Sequence, residues 1–366
     1  MKTVCADSRP MTKAAKLTHE RYEWLYPARG MVALLYLLSA ITRPLSGRLL
    51  VEHFPLGPTY LNHGYAYYRG YPELITVIDT GQFIFMFLMG FVGYVAFSGR
   101  MQKRGASSAW LYAARRVALL FFLQFIGSGV FNMLAGKPIN WAEVFYDDIL
   151  SKLALGAMAA YVTTHFIRNA DRRALVAVGV LVVHAFLFAS HAVDRYPWSD
   201  DMLRRPEFPL GALSLMTVAV VGSACAQWLR MDEIDLRVGF KRRIMPVSVL
   251  SLSAAYCLEW LQPSQPHDGT MAVALLSIGL AGLLVAVTYA FGEMRFEVPV
   301  LRPLGKNLIL VFILGSQLVD RYVRVFPKEF LLSYPYVGML LVGLLPLAVI
   351  TLVAVTLEKR NILIRL

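Results

Sequence analysis

Apolar runs of 18 or more residues recur along this chain of 366 residues, separated by short polar and basic segments. A helix of that length crosses a bilayer core of roughly 30 Å. Because lipid offers no hydrogen-bond partner, each crossing segment must satisfy its own backbone polar groups as a helix. A β-barrel would instead show short segments of alternating polarity. The pattern therefore predicts an all-α fold, a polytopic integral membrane helical bundle.

Composition and the ends of the apolar runs define the predicted organisation. The chain is 57% hydrophobic and 16% charged, whereas soluble domains are about half apolar and about a quarter charged. This excludes an ordinary soluble enzyme and a disordered chain. We expect a cytoplasmic N-terminal segment over 1–27, a transmembrane domain over 28–357 and a cytoplasmic tail over 358–366. About ten transmembrane helices are predicted, at 28–42, 75–97, 117–134, 149–167, 174–192, 209–229, 244–261, 270–292, 304–320 and 333–357.

Lysine and arginine residues determine the predicted orientation. The formal net charge is +12, but it lies in short blocks between apolar runs, so nucleic acid is not an expected partner. Of the 36 basic residues, 24 fall in alternate segments on one side of the predicted spans and 10 fall in the opposite loops. Since cytoplasmic loops carry the excess of lysine and arginine, both termini are predicted to be cytoplasmic.

Two ionisable residues near the second predicted helix are candidates for catalysis, because charges in lipid are costly unless they are paired or hydrated. Asp79 lies near the outer end of that helix, where its carboxylate could orient a histidine or hold a sugar hydroxyl. The alternative is a helix-end aspartate close to headgroup water. His63 lies in the tyrosine-rich outward loop 43–74, and histidine is the usual general base near neutral pH. We therefore predict His63 and Asp79 as catalytic residues.

Four further polar residues, Lys152, Asn307, His267 and Asp268, are predicted to bind substrate. Lys152 lies at the outer start of the fourth span, four residues after Asp148, so an ion pair across one helical turn also explains it. His267 beside Asp268 lies at an outer helix entrance, where the alternative is a capping turn. Asn307 lies at the inner start of the ninth span, and helix N-termini favour anions.

Three basic residues are predicted to contact the phosphates of an acyl donor. Arg115 and Arg116 lie on the predicted cytoplasmic face, where the excess of positive charge in cytoplasmic loops explains them equally. Lys306 lies beside Asn307, and a lysine that extends to the membrane interface is the alternative. No glycine-rich phosphate loop, nucleophile elbow or metal-ligand spacing occurs, and the three cysteines form no pattern. No metal site is predicted.

Several motifs occur in an order found in one family of membrane enzymes. They are Arg29-Gly30, Leu74–Asp79 followed by Phe85–Gly90, Trp141 followed by Asp148–Lys152, Arg205–Gly211 with Gly222 and Trp228-Leu229, and Gly305–Asn307. In this order the chain resembles the heparan-α-glucosaminide N-acetyltransferase family and its bacterial relatives, within the wider transmembrane acyltransferase group. The chain departs from the family pattern at Tyr26, where the family has an acid, and at 69–73, where the family has a His-x-x-Trp-Asn-Gly motif.

The resemblance implies transfer of an acyl group, which is acetyl in that family, from cytoplasmic acyl-CoA to a sugar or glycan acceptor on the outer side of the membrane. His63 would deprotonate the acceptor or relay the acyl group, and Asp79 would orient it. Acyl-CoA would be a co-substrate, with no permanently bound cofactor. The expected partners are the lipid bilayer, acyl-CoA and a sugar or glycolipid acceptor, and the expected location is a bacterial cytoplasmic (inner) membrane. Homo-oligomerisation stays open.

Two other classes of function are compatible with the sequence. A glycolipid or small-anion transporter or flippase would also place a few polar groups among many helices, although the two halves show no internal duplication. A catalytically degenerate membrane scaffold is the other alternative, because the Trp-Asn-Gly motif is absent. Acyl-CoA dependence separates the enzyme from both.

Overall fold

The computed structural model of the chain describes residues 23–45, 80–134, 136, 138–139, 141, 144–145, 149–189, 212–231, 236–259, 270–294, 298–319, 322, 325–326, 328–360 and 362. These residues form helices and turns, and no β-strand occurs among them. The prediction of an all-α fold is therefore confirmed. The chain divides into two compact units, the first comprising 1–65, 76–78 and 284–366 and the second comprising 66–75 and 79–283.

The principal helices follow the apolar runs of the sequence. In chain order they are α1 (Leu25–Leu45), α2 (Gly81–Arg104), α3 (Ala106–Gln124), α4 (Ile149–Phe166), α5 (Ala170–Ala189), α6 (Ala212–Met231), α7 (Met245–Glu259), α8 (Met271–Glu293), α9 (Leu301–Lys306), α10 (Leu308–Ile313) and α11 (Leu345–Lys359). Wider π-helical turns extend α3, α7, α10 and α11, at Phe125–Val130, Phe240–Ile244, Leu314–Val319 and Met339–Leu344. Shorter helices lie at Phe131–Leu134, Leu236–Gly239, Lys328–Ser333 and Pro335–Gly338.

Five of the described helical segments are long and apolar enough to cross a membrane, judged by length and composition. They are Gly81–Arg104, Ala106–Gly127, Ala212–Arg230, Met271–Glu293 and Tyr336–Lys359. Helix also occupies most of the described part of each of the ten predicted segments. The membrane character of the fold is thus supported at this level, while the number of spans and the orientation of the termini stay predictions.

Several helix boundaries differ from the predicted ones, and two of the differences concern predicted site residues. The third span was expected to begin at residue 117, but α3 begins at Ala106. The ninth was expected to run without interruption from residue 304, but the helix ends at Lys306 and resumes at Leu308. Asn307 between them has φ −109° and ψ 32°, outside the helical range. As a result, Arg115 and Arg116 lie within a helix and not before it, and Asn307 lies between two helices.

The second unit is built on close contact between α2 and α6. A Cβ atom at Gly90 would overlap the backbone carbonyl of Ala219, and a Cβ at Gly222 would overlap the carbonyl of Phe87. Each helix therefore has a glycine at a position where it contacts the backbone of the other helix. This is the small-residue packing through which apolar helices approach closely. The α4 helix packs on both, with Gly156 facing Ala219, while α3 packs on α2 and α4, and α5 packs on α6.

The first unit contains a second reciprocal pair of glycines. A Cβ at Gly30 of α1 would overlap the carbonyl of Leu301, and a Cβ at Gly305 of α9 would overlap the carbonyl of Tyr26. The α1 and α9 helices therefore also meet backbone to backbone. Such contacts bring the polar residues at the end of α9 against the start of α1.

Large apolar side chains are exposed on α5. Leu175 is 70% exposed and Phe186 is 72% exposed, and Val182 and Val183 between them are also exposed. Contiguous apolar surface of this kind is uncommon on monomeric soluble proteins. It is typical of helices that face lipid.

Candidate functional site

Four of the predicted site residues, His63, Asp79, His267 and Asp268, lie outside the described residues, and their roles stay predictions. Lys152 lies in the first turn of α4 and is half-buried. Its predicted ion-pair partner Asp148 also lies outside the described residues. The structure therefore locates Lys152 on a helix of the second unit without testing its role.

Lys306 and Asn307 lie in the first unit, within a network of opposite charges. The Lys306 ammonium donates to Oε1 of Glu358 at 2.7 Å, and the same oxygen lies 3.4 Å from Nε of Arg302. Arg302 also contacts Glu23 at 3.2 Å. Asn307 is fully buried where α9 ends. The Lys306 charge is thus balanced by a carboxylate of the same unit, a geometry that indicates a structural ion pair.

We expect the Lys306–Glu358 pair to contribute to stability. In a double-mutant cycle of Lys306→Met and Glu358→Gln, the coupling free energy should be about 0.5–1.5 kcal/mol, because the pair is partly shielded from water. Unfolding of the detergent-solubilised protein measures it. Lys359→Met, next to Glu358 but exposed, is the control and should change little. A coupling of zero would leave Lys306 available for an anion.

Arg115 and Arg116 are adjacent in sequence, but their environments differ. Both lie within α3 because the helix begins at Ala106. Arg115 is exposed, whereas Arg116 is only 8% exposed and faces the second unit's interior. Arg116 lies ten residues beyond the first residue of α3, about 15 Å along its axis. The two arginines therefore differ in exposure, and the contact of each with the phosphates of an acyl donor stays a prediction.

Arg116 lies among aromatic side chains and sulfur. Its Nη1 donates to the Tyr112 hydroxyl at 3.0 Å, and its Nη2 donates to Sδ of Met89 at 3.1 Å. The Tyr161 hydroxyl of α4 interacts electrostatically with the same guanidinium. Phe97 stacks on the Tyr161 ring, with centroids 5.2 Å apart. Met89 sulfur is a weak acceptor, so the hydroxyls of Tyr112 and Tyr161 are the main polar partners of the guanidinium among the described residues.

Two polar atoms of this cluster make no hydrogen bond to the described residues: Nε of Arg116 and the hydroxyl of Tyr161. Both side chains are buried. Buried polar atoms are nearly always hydrogen-bonded, so each exception in a folded protein requires an explanation. We name Arg116, Tyr112 and Tyr161 the buried arginine cluster.

Carboxylates are scarce in the described part of the second unit, where the sequence has only Asp171 and Glu259. Asp171 accepts a hydrogen bond from the Trp228 indole at 2.8 Å and pairs with Arg243 at 3.5 Å. No ion pair joins Arg116 to either carboxylate. Within the described residues, the positive charge of the buried arginine cluster is therefore not neutralised.

Arg173 is a second buried arginine, but its contacts are different. Its Nη1 donates to the Ile167 carbonyl at 2.9 Å, and its Nη2 donates to the Ser223 carbonyl at 3.1 Å and to Oε1 of Gln227 at 2.6 Å. Gln227 in turn donates to the Arg168 carbonyl at 2.9 Å. Arg173 thus connects the α4–α5 loop to α6, which is a structural role.

Arg230 and Arg100 also connect helices of this unit. Arg230 donates to the Ser98 hydroxyl at 2.8 Å and to the side chain of Gln102, joining α6 to α2. The Arg100 guanidinium lies 3.7 Å from the centroid of the Tyr112 ring, an arrangement in which a cation contacts the face of an aromatic ring. Tyr112 therefore contacts two arginines: its hydroxyl accepts a hydrogen bond from Arg116, and its ring face contacts Arg100. The second charged group at Tyr112 is thus a cation and not a carboxylate.

The sequence identified Arg116 but not the tyrosines around it. Tyr161 lies in an apolar run of α4 and Tyr112 in the predicted cytoplasmic segment, and neither has a charge or a motif to indicate a site. Only the correct start of α3 would have placed Tyr112 and Arg116 one turn apart on one helix face.

Comparison with known proteins identifies no relative: no protein-family model matches the chain, and no curated protein matches it significantly. The family resemblance therefore stays a prediction that depends on the order of motifs. Among the described residues, no group of three or more histidine, cysteine, aspartate or glutamate side chains could hold a metal ion.

Proposed function

We propose that the chain is an integral membrane acyltransferase that moves an acyl group from cytoplasmic acyl-CoA to a sugar or glycan acceptor on the outer side. Under this proposal about ten helices cross the membrane with both termini in the cytoplasm, in a bacterial cytoplasmic membrane. The five long apolar helices and the exposed apolar face of α5 support membrane insertion. The order of motifs along the chain supports the reaction class.

One structural observation carries the proposal furthest: Arg116 is buried halfway along an apolar helix and has no carboxylate partner among the described residues. An ionisable residue at such a position is a functional-site hypothesis by default, because the fold alone gains nothing from it. An uncompensated cation suits an anionic substrate, and acyl-CoA is anionic. On the acceptor side, His63 remains the proposed general base, and Asp79 remains the residue proposed to orient it.

Acyl transfer tests this proposal directly. Membranes that contain the full chain and labelled acetyl-CoA should transfer label to a lipid-linked or exported sugar. His63→Ala should lower the rate at least about 100-fold, the usual contribution of a general base, and Asp79→Asn should also lower it. His53→Ala, in the same predicted loop, is the control and should retain activity. Unchanged transfer in His63→Ala would mean that the proposed base is wrong.

A second candidate, a small-anion or glycolipid transporter, is favoured by the same position of Arg116. A cation halfway along a span can bind an anion in transit as well as a substrate. Sealed vesicles separate the two functions. Movement of a phosphorylated sugar or glycolipid without acyl-CoA would favour transport, whereas labelling that requires acyl-CoA favours the transferase.

A further inference from the structure

The two unpartnered polar atoms of the buried arginine cluster have the same chemical requirement. Nε of Arg116 is a hydrogen-bond donor with no acceptor function, and the Tyr161 hydroxyl has a proton to donate. The guanidinium also interacts with the hydroxyls of Tyr112 and Tyr161 and with the Met89 sulfur, and no carboxylate of the described residues neutralises its charge. Both atoms would be satisfied by an acceptor that carries negative charge.

The side chains that surround this pair hold it in a fixed arrangement. The Tyr161 ring is stacked on Phe97 and lies against α2 at Gly93, where an added Cβ would be only 3.2 Å from the ring edge. Tyr112 lies edge-on to Tyr161, with centroids 6.4 Å apart, and accepts the Nη1 hydrogen bond of Arg116. Preorganised donors of this kind bind an anion without reorganisation.

We infer that Arg116 and Tyr161 form a buried oxyanion-binding site that takes a phosphate group. Arginine is the side chain best suited to phosphate, because its planar fork forms charge-assisted hydrogen bonds. The inference rests on the proposed function for the source of the phosphate, the acyl-CoA donor, but the existence of the site does not depend on it. Free phosphate or an anionic lipid headgroup would present the same oxygens.

Lys152 and Arg115 do not serve this site as described. Arg115 is exposed, and its side chain leaves α3 about 100° around the helix axis from that of Arg116. Lys152 lies in the first turn of α4, whereas Tyr161 lies nine residues further along, about 13 Å away on the helix axis. The buried site therefore depends on Arg116 and on the two tyrosines rather than on the other predicted cations.

Calorimetric titration of the full chain tests the inference, with three phosphate sources as separate arms. The arms are inorganic phosphate, coenzyme A, and nanodiscs of phosphatidylglycerol compared with phosphatidylcholine. At least one source should bind saturably, and Tyr161→Phe should weaken that binding about tenfold, the effect of losing one hydrogen bond to a charged group. Tyr161→Phe keeps the ring, so folding should be retained, as thermal unfolding will check.

Tyr94→Phe is the matched control, because Tyr94 lies under Arg173 in the same unit, with 5.1 Å from the guanidinium carbon to the ring centroid. Both terminal nitrogens of Arg173 donate to protein acceptors. The control variant should bind phosphate as wild type does. Binding of coenzyme A identifies the donor as the source, and binding of the anionic lipid alone identifies a headgroup. No binding in any arm, or equal affinity of wild type and Tyr161→Phe, overturns the inference.

These outcomes are independent of the acyl-transfer assay. Phosphate binding that requires Tyr161, in a protein that transfers no label, would refute the proposed function and keep the site. Label transfer that is unaffected by Tyr161→Phe, together with unchanged coenzyme A affinity, would refute the site and keep the function.

Discussion

Replacing Gly90 by alanine should destabilise the protein by about 3 kcal/mol or more. Adding a methyl group to a well-packed interior usually costs about 1–3 kcal/mol. The cost stays in that range when neighbouring side chains can rotate away from the added group. At Gly90 the added methyl group would overlap the backbone carbonyl of Ala219, which can move only if α6 moves. Gly222→Ala should have a similar effect, since its methyl group would overlap the Phe87 carbonyl. Unfolding of the protein in detergent, followed by circular dichroism, measures both.

Gly99 supplies the matched control for the glycine substitutions on the same helix. A Cβ at Gly99 would meet no atom within 4 Å. Gly99→Ala should therefore be neutral or stabilise α2 by about 0.5–1 kcal/mol, the usual gain when alanine replaces glycine in a helix. If Gly90→Ala and Gly99→Ala unfold at the same denaturant concentration, then the close approach of α2 and α6 does not contribute to stability.

The glycine contacts change what the family resemblance means. Four of its motifs contain Gly30, Gly90, Gly222 or Gly305, and each of these glycines lies where a helix meets the backbone of another helix. Trp228, from the same motif as Gly222, donates to Asp171 within the second unit. The physical basis of these motif residues is therefore helix packing. A shared order of such residues supports a shared arrangement of helices more directly than a shared reaction.

Hydropathy predicted the helical class but not the helix ends. The segment 106–116 contains serine, tyrosine and two arginines, which lower its mean hydropathy. The apolar run therefore begins only at residue 117, although the backbone is helical from Ala106. A helix can include arginine when the side chain faces protein instead of lipid, and single-sequence hydropathy does not contain that information. The break at Asn307 was also not predicted, because asparagine near a helix start reads as a cap.

The predicted catalytic pair His63 and Asp79 illustrates a different limit. Both residues were selected because they are ionisable and near a span, and both lie outside the described residues, so their geometry is not tested. Arg116, in contrast, is a predicted contact for donor phosphates, and the structure shows that its side chain is buried in the second unit. What the sequence could not supply is the direction of each side chain, which depends on how α2, α3 and α4 pack.

Replacing Arg116 by methionine should make the protein more stable and less able to bind phosphate. The buried guanidinium loses its hydration and gains no carboxylate among the described residues, so an apolar side chain of similar length should raise the free energy of unfolding by about 1–3 kcal/mol. Phosphate affinity should fall at least about 100-fold, because the charge and the fork are both lost. Thermal unfolding and calorimetric titration of the same preparation measure the two effects.

Arg173→Met is the comparison that gives this prediction its meaning. Arg173 is as buried as Arg116, but its guanidinium donates to the carbonyls of Ile167 and Ser223 and to Gln227. Methionine there would leave three buried acceptors without those hydrogen bonds, so the free energy of unfolding should fall by about 3–5 kcal/mol. Opposite signs for two buried arginines of one unit would separate a residue retained for binding from one retained for folding. Destabilisation by both substitutions would assign Arg116 to the fold and remove the main structural support for an anionic substrate.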